Sequence, residues 1–448
     1  MHFNSPIRQL KNLFYRFYHS EIVKVFSLSS IATLVRMLTG MISIKVVAVI
    51  IGPSGVAILG QLNNFVYIIQ YLSSGAINNG IVKYVAEYKT SFYKTRSLLA
   101  NALLITVMCS FVCGIGMMVF HTDLSNWIML SPEYGYVFIV FGITVILYAS
   151  NTFLISIVNG YKAYKTYIKI NIANSITGLL FTVVFTWLYG LQGALICATT
   201  YQSVVFFVTL YMVHKQPWAN LKYFKGRINQ NIIRNYLKYA LMTLVAVGTM
   251  PVAQILIRRY IMVSLSATEA GWWEAMNRIS NIYLLVVSTS FGVYYLPRLS
   301  EIVDIQELRK EIYKAFQIII PLLLGGFSLI YLLRYFIIRI LFTPDFIPMA
   351  KLFGWQMAAD LFKVGCFILT YVLIAKVHTV AYITTEILFT LVYIGLVYLL
   401  IPMGTGIIGV AQAGMAAYIL HLGVVFGYMK RIGYFKIYDR MKLTKSDI

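Results

Sequence analysis

Gly190-Leu191-Gln192-Gly193-Ala194 returns 216 residues later as Gly406-Ile407-Ile408-Gly409-Val410. Each stretch joins two long apolar runs, and the interval is almost half of the 448-residue chain. At the same interval the loop Gly52 to Val56 stands opposite Thr268 to Trp272. Twelve apolar runs centre near residues 38, 70, 107, 146, 178, 203, 250, 284, 328, 362, 391 and 418, each with the roughly 20 mainly apolar residues a transmembrane helix needs. The chain is 60% hydrophobic and 12% charged, with a mean hydropathy of +0.77. These features predict an all-α polytopic membrane protein, with about twelve transmembrane helices in two six-helix lobes around a central cavity. Six is even, so both halves enter the membrane from the same side and the repeat is parallel, an architecture of secondary transporters that hold substrate near the bilayer midplane. Chance likeness among glycine-rich helix ends is the competing explanation. The expected divisions are an N-terminal tail 1–24, an N-lobe 25–213, a basic linker 214–238, a C-lobe 239–429 and a C-terminal tail 430–448.

A net charge of +22 would suggest nucleic acid in a soluble protein, but the placement of the charge excludes it. Of the 37 basic residues, 28 fall in the two tails and in every second loop, from Lys83, Lys89, Lys94 and Arg96 through the linker Lys215 to Lys238 to Lys376. The intervening loops hold none. The positive-inside rule then places both termini of a multi-pass protein in the cytoplasm. The basic N-terminus leads into a segment of spanning length with no small-residue cleavage pattern, so the first helix reads as an uncleaved anchor. Its Ile7 to Tyr18 stretch mixes cations with Leu and Phe, which suits either the inner membrane surface or a solvated tail. Cys109, Cys113, Cys197 and Cys366 all fall within spans and read as packing residues without disulfides. No P-loop motif occurs, and six scattered histidines offer no metal site. No cofactor is expected.

Cations inside the spans carry the functional reading, because a charge at mid-bilayer costs at least about 2.5 kcal/mol unless it faces a cavity or a partner. Arg36 shares a helical face with Ser29, Ala32, Gly40 and Ser43, opposite Leu34 and Leu38. Arg278 lies with Gly271, Glu274, Asn281, Ser288 and Gly292, and Arg258 with Pro251 and Gln254. Lys363 shares a face with Gln356, Asp360 and Thr370, at a spacing that lets Asp360 pair with it. For all four cations the alternative is a structural salt bridge. Lys45, nine residues after Arg36, falls on the Leu34/Leu38 face and snorkels outward unless the helix bends at Gly40. Arg259, Arg334, Arg339 and Lys351 read first as interfacial anchors.

Nine basic residues lie outside the inner loops and tails, against five acids in comparable places: Glu269, Glu274, Asp345, Asp360 and Glu386. The excess favours an anion, and a diphosphate suits arginine through bidentate hydrogen bonds. Asn63, Asn64, Gln70, Asn78 and Asn79 form an amide-rich run suited either to sugar hydroxyls or to interhelical bonding. Asp360, Glu274 and Glu386 are candidate proton carriers for ion coupling.

Gly52-Pro53-Ser54-Gly55, Asn79-Gly80-Ile81-Val82-Lys83-Tyr84-Val85-Ala86-Glu87-Tyr88, Ser290-Phe291-Gly292-Val293-Tyr294-Tyr295-Leu296-Pro297, Trp355-Gln356 through Asp360, and Lys363-Val364-Gly365 to Ala375-Lys376 resemble the Wzx-type flippases of O antigen and enterobacterial common antigen. The resemblance spans nearly the whole chain. It implies the multidrug/oligosaccharidyl-lipid/polysaccharide transporter fold, with two lobes around a cationic cavity. The implied substrate is an undecaprenyl-diphosphate-linked oligosaccharide, moved from the cytoplasmic to the periplasmic leaflet. The implied partners are membrane lipid, a polysaccharide polymerase and a chain-length regulator. Arg36, Lys45, Arg258, Arg259, Asp360 and Lys363 match positions where relatives carry charge, whereas Arg278 departs from that pattern. The residues leave two other readings open: a drug or metabolite antiporter of the same superfamily, and a membrane polymerase or glycosyltransferase. The second would want a large carboxylate-bearing loop, yet the longest outer stretch, His121 to Tyr134, offers only Asp123 and Glu133.

Overall fold

A computed structural model describes residues 21–435. Arg8, Lys11, Arg16, Lys436, Arg440, Lys442 and Lys445 of the expected tails, and the Ile7 to Tyr18 stretch, lie outside the described residues. Seven helical runs are long and apolar enough to cross a membrane, and three of them carry two helices each. The run Glu21–Ser73 breaks at Gly52 (φ 65°, ψ −174°) into α1 (21–51) and α2 (53–73). Pro53 opens α2, where its missing N–H removes no helical bond. The run Tyr164–Val213 breaks at Gly190 into α5 (164–189) and α6 (191–213). The others are α3 (Phe92–Val119), α4 (Gly135–Gly160), α9 (Ile305–Leu332), α10 (Phe353–Ala375), α11 (Thr379–Leu400) and α12 (Gly406–Arg431). α7 (Gln230–Ser264) and α8 (Ala267–Ser290) complete twelve long helices among the described residues.

The chain forms two compact units, one ending at Ile255 and the other beginning at Leu256. Their backbones repeat. The turn from α4 to α5 carries Lys162 at φ 57° and Ala163 at φ −77°, ψ 61°. The turn from α10 to α11, 215 residues on, carries Val377 at φ 59° and His378 at φ −79°, ψ 53°. Ala163 N–H donates to Val158 O at 3.2 Å, and His378 N–H donates to Leu373 O at 2.8 Å. One helix later, Gly190 (φ 56°, ψ −132°) and Gly406 (φ 56°, ψ −145°) share a conformation that only glycine adopts readily, now 216 residues apart. A π-helical turn over Ile401–Thr405 absorbs the extra residue, since i to i+5 bonding accommodates one insertion.

In each unit an apolar core cluster lies at the end nearest these α4–α5 and α10–α11 turns. Ile77, Ile81 and Val85, on a short helix Asn78–Tyr88, pack with Leu99 of α3 and Ile157 of α4 in the first unit. Leu299, Leu308, Ile368, Val372 and Met429 form the counterpart. Apolar side chains gain little by leaving lipid, so close packing holds such helices together. α3 and α4 approach so closely that a Cβ on Gly114 would lie 2.6 Å from Gly142 O, and one on Gly142 2.7 Å from Gly114 O.

The basic linker is tied to the first unit. Asn101 of α3 donates to Arg227 O at 3.1 Å and accepts from Asn229 N–H at 2.9 Å, while Arg96 donates to Lys225 O. Trp218 is buried and stacks on Tyr161. Residues 230–238 form the first turns of α7.

Candidate functional site

In the second unit Glu274 of α8 joins two arginines. Arg258 of α7 donates Nη2 to Glu274 Oε2 at 2.5 Å, and Arg278, one turn along α8, donates Nε to Glu274 Oε1 at 3.0 Å. Arg258 is 1% exposed and sits 5.3 Å from the ring of buried Trp273, which adds cation–π attraction in a desolvated place. Two guanidinium groups on one carboxylate leave a local surplus of positive charge, and Arg278 is the more accessible of the two.

Asp360 of α10 is fully buried. It accepts from Ser280 Oγ at 2.6 Å, from the Tyr283 hydroxyl, and from Gln356 Nε2 at 3.2 Å. The expected Asp360–Lys363 ion pair does not form. α8 presents two hydroxyl donors to the carboxylate, and with Gln356 they give it three hydrogen bonds in place of the lysine. The Lys363 ammonium lies instead 5.9 Å from the Tyr418 ring of α12, and its charge acts on both Asp360 and Glu386. The interior of this unit thus holds Arg258, Arg278 and Lys363 against Glu274, Asp360 and Glu386, a balanced set. The cationic excess expected from the sequence resides in the helix ends and in the first unit.

Sequence reasoning missed His421 of α12. It is 5% exposed, stacks on Phe389 of α11 at 5.1 Å, and neither ring nitrogen has a hydrogen-bond partner. A histidine within the apolar run Ile419 to Leu422 was its available signal, weaker than that of an arginine because an imidazole can be buried neutral.

The first unit is built differently. Arg36 is exposed along α1, and its charge acts on Tyr67 of α2 and Tyr201 of α6. Around these run neutral bonds: Gln202 Nε2 to Tyr201 Oη at 3.0 Å, Asn151 Nδ2 to Gln202 Oε1 at 2.8 Å, and Tyr148 Oη to Gln70 Oε1 at 3.3 Å. Between residues 25 and 213 the only acids are Glu87, Asp123 and Glu133, all near helix ends. Lys45, expected on the exposed face of α1, is half-buried, because Ile44, Val47 and Ala48 pack inward there. Arg259 is half-buried near the end of α7.

Asn78 and Asn79 do not continue α2. The chain turns through Gly75 and Ala76, both at positive φ, so the two amides open the short helix Asn78–Tyr88. Asn78 donates to Ser74 Oγ at 3.1 Å while Asn79 is exposed. Of the expected anchors, Arg334 lies 4.1 Å from the Tyr331 ring and 4.7 Å from that of Tyr335, and Lys351 lies 5.4 Å from Trp272. These aromatic partners suit a membrane interface.

Comparison with known proteins gives the family. The chain is 27% identical over 408 residues to the Lipid III flippase of Escherichia coli, covering 91% of this chain and 98% of that protein; the Shigella flexneri Lipid III flippase matches equally. The solved structure of an inward-facing multidrug resistance MATE transporter of the MOP superfamily shares the fold with a TM-score of 0.76 at 12% identity, covering 90% of this chain and 100% of that one. A MOP superfamily transporter from Pyrococcus furiosus does so with a TM-score of 0.62 at 13% identity, covering 94% and 98%. Residues 22–303 match the family described as polysaccharide biosynthesis protein, and this chain belongs to that family.

Proposed function

We propose that this protein carries an undecaprenyl-diphosphate-linked oligosaccharide from the cytoplasmic to the periplasmic leaflet of the bacterial inner membrane by alternating access, with both termini in the cytoplasm. The observation that carries this reading is Arg36, exposed on its helix in a unit whose only carboxylates between residues 25 and 213, Glu87, Asp123 and Glu133, stand near helix ends. An anion is the ligand such a place favours, and a guanidinium offers a diphosphate a bidentate seat. Arg278 and Lys363 are the second unit's contributions, because Arg258 is locked on Glu274 beneath them in the ion cluster. The likeness to the Lipid III flippase of Escherichia coli supports a lipid-linked oligosaccharide as cargo. Replacing Arg36 and Lys363 together by Ala, at unchanged membrane abundance, should abolish surface polysaccharide. Normal polysaccharide in that double variant would overturn the assignment.

For energy coupling the three candidate carboxylates separate. Glu274 is held by two arginines and Asp360 by three donors, whereas the Glu386 side chain makes no hydrogen bond among the described residues. Glu386 is therefore the proposed proton carrier. Proteoliposome transport that responds to a pH gradient in the wild type and not in Glu386→Gln is the expected result. An equal response in both removes the role.

A further inference from the structure

Between α9, α10 and α12 of the second unit runs a groove of about 930 Å³ that the transport reading does not use. Phe316, Leu369, Ile419, Leu422 and Phe426 line it, and its lining is almost wholly apolar. At its mouth stand Arg309 and Lys310. Arg309 is occupied, donating Nη2 to Gly433 O at 2.8 Å and Nε to Tyr434 O, which fixes the turn after α12 as one wall. Lys310 is exposed and has no ion pair among the described residues.

We infer that this groove seats the polyprenyl chain of the lipid substrate, with its phosphate on Lys310 before the diphosphate moves to Arg36; the inference rests on the proposed lipid-linked cargo. Three features select that occupant. The first is depth: seven residues of α9 separate Arg309 from Phe316, and seven of α12 separate Ile419 from Phe426, roughly 10 Å along each helix. Half of the roughly 30 Å hydrocarbon layer is one leaflet, so the groove accommodates a chain from a single leaflet. The second is charge. The segment 436–448 carries four cations and two acids and is a poor match for a basic mouth, whereas a lipid phosphate complements it. The third is surface chemistry: Phe316 and Phe426 offer aromatic faces to a methyl-branched, unsaturated chain.

Gly423 lines the groove, and a Cβ there would meet nothing within 4 Å. Gly423→Leu therefore fills the space without disturbing the helix, and Lys310→Glu reverses the mouth. Purified full-length protein in detergent is titrated with undecaprenyl phosphate and separately with dioleoyl phosphatidylglycerol, with binding read by native mass spectrometry. Each variant should weaken undecaprenyl phosphate binding about tenfold or more, the scale of losing contact with a few chain methylenes and one charge. Phosphatidylglycerol should bind the wild type more weakly and ignore Gly423→Leu. Unchanged undecaprenyl phosphate binding in both variants overturns the site, and so does phosphatidylglycerol that binds as tightly and loses as much. Surface polysaccharide in the same strains separates the two readings. A wild type that exports normally while binding ignores the groove refutes the groove alone; binding in the groove with no restoration of polysaccharide in a flippase-deficient strain refutes the cargo alone.

Discussion

The two units repeat a backbone but solve polarity in opposite ways. In the first, amides and phenols bond to one another near the exposed Arg36, and between residues 25 and 213 the carboxylates stand near helix ends. In the second, charges bond to charges: Arg258 and Arg278 on Glu274, and Asp360 held by α8 hydroxyls. Neutral interhelical bonds in a membrane average about 0.6 kcal/mol each, because the separated helices find other partners. A buried ion that loses its partner costs several times more. The first unit can therefore leave a cation unspent for a ligand, whereas the second uses most of its charge on itself.

Removing Glu274 tests this contrast most severely. Glu274→Ala strands two arginines and should cost about 3–5 kcal/mol, read as a collapse of membrane abundance and of the melting temperature in detergent. If the cost is no larger than that of Asn151→Ala, the contrast is broken. Gly190→Ala and Gly406→Ala should cost about 1–3 kcal/mol each from the forced backbone conformation. Similar losses of melting temperature would sharpen the claim that the two hinges are one device used twice. Val377 is a β-branched residue at φ 59°, so Val377→Gly should raise stability by about 1 kcal/mol, and Lys162→Gly at the equivalent turn by less. Asn151→Ala should cost about 0.6 kcal/mol, the membrane average for such a bond. Arg36→Ala should move stability by less than about 0.5 kcal/mol while abolishing surface polysaccharide. A large stability loss there would make Arg36 structural.

The glycine motif exposed the repeat in the sequence because glycine alone fits the conformation at 190 and 406. The equivalent turn at 162 and 377 was hidden, since Lys162 and Val377 share a geometry and no chemistry. Helical phase placed Arg278 beside Glu274 correctly, because both lie on one helix. It paired Asp360 with Lys363 wrongly, because the better donors, Ser280 and Tyr283, came from another helix. Likewise the amide-rich run from Asn63 to Asn79 looks continuous in sequence, and positive φ at Gly75 and Ala76 sets Asn78 and Asn79 on a helix of their own.

Composition and the spacing of apolar runs determined by themselves that this chain crosses a membrane many times, since a spanning helix must satisfy its backbone internally and present about 20 apolar residues whatever its neighbours do. Which cation is spent on a carboxylate and which stays available was decided only by tertiary structure. That choice depends on what a second helix brings within about 3 Å, a distance no one-dimensional pattern encodes.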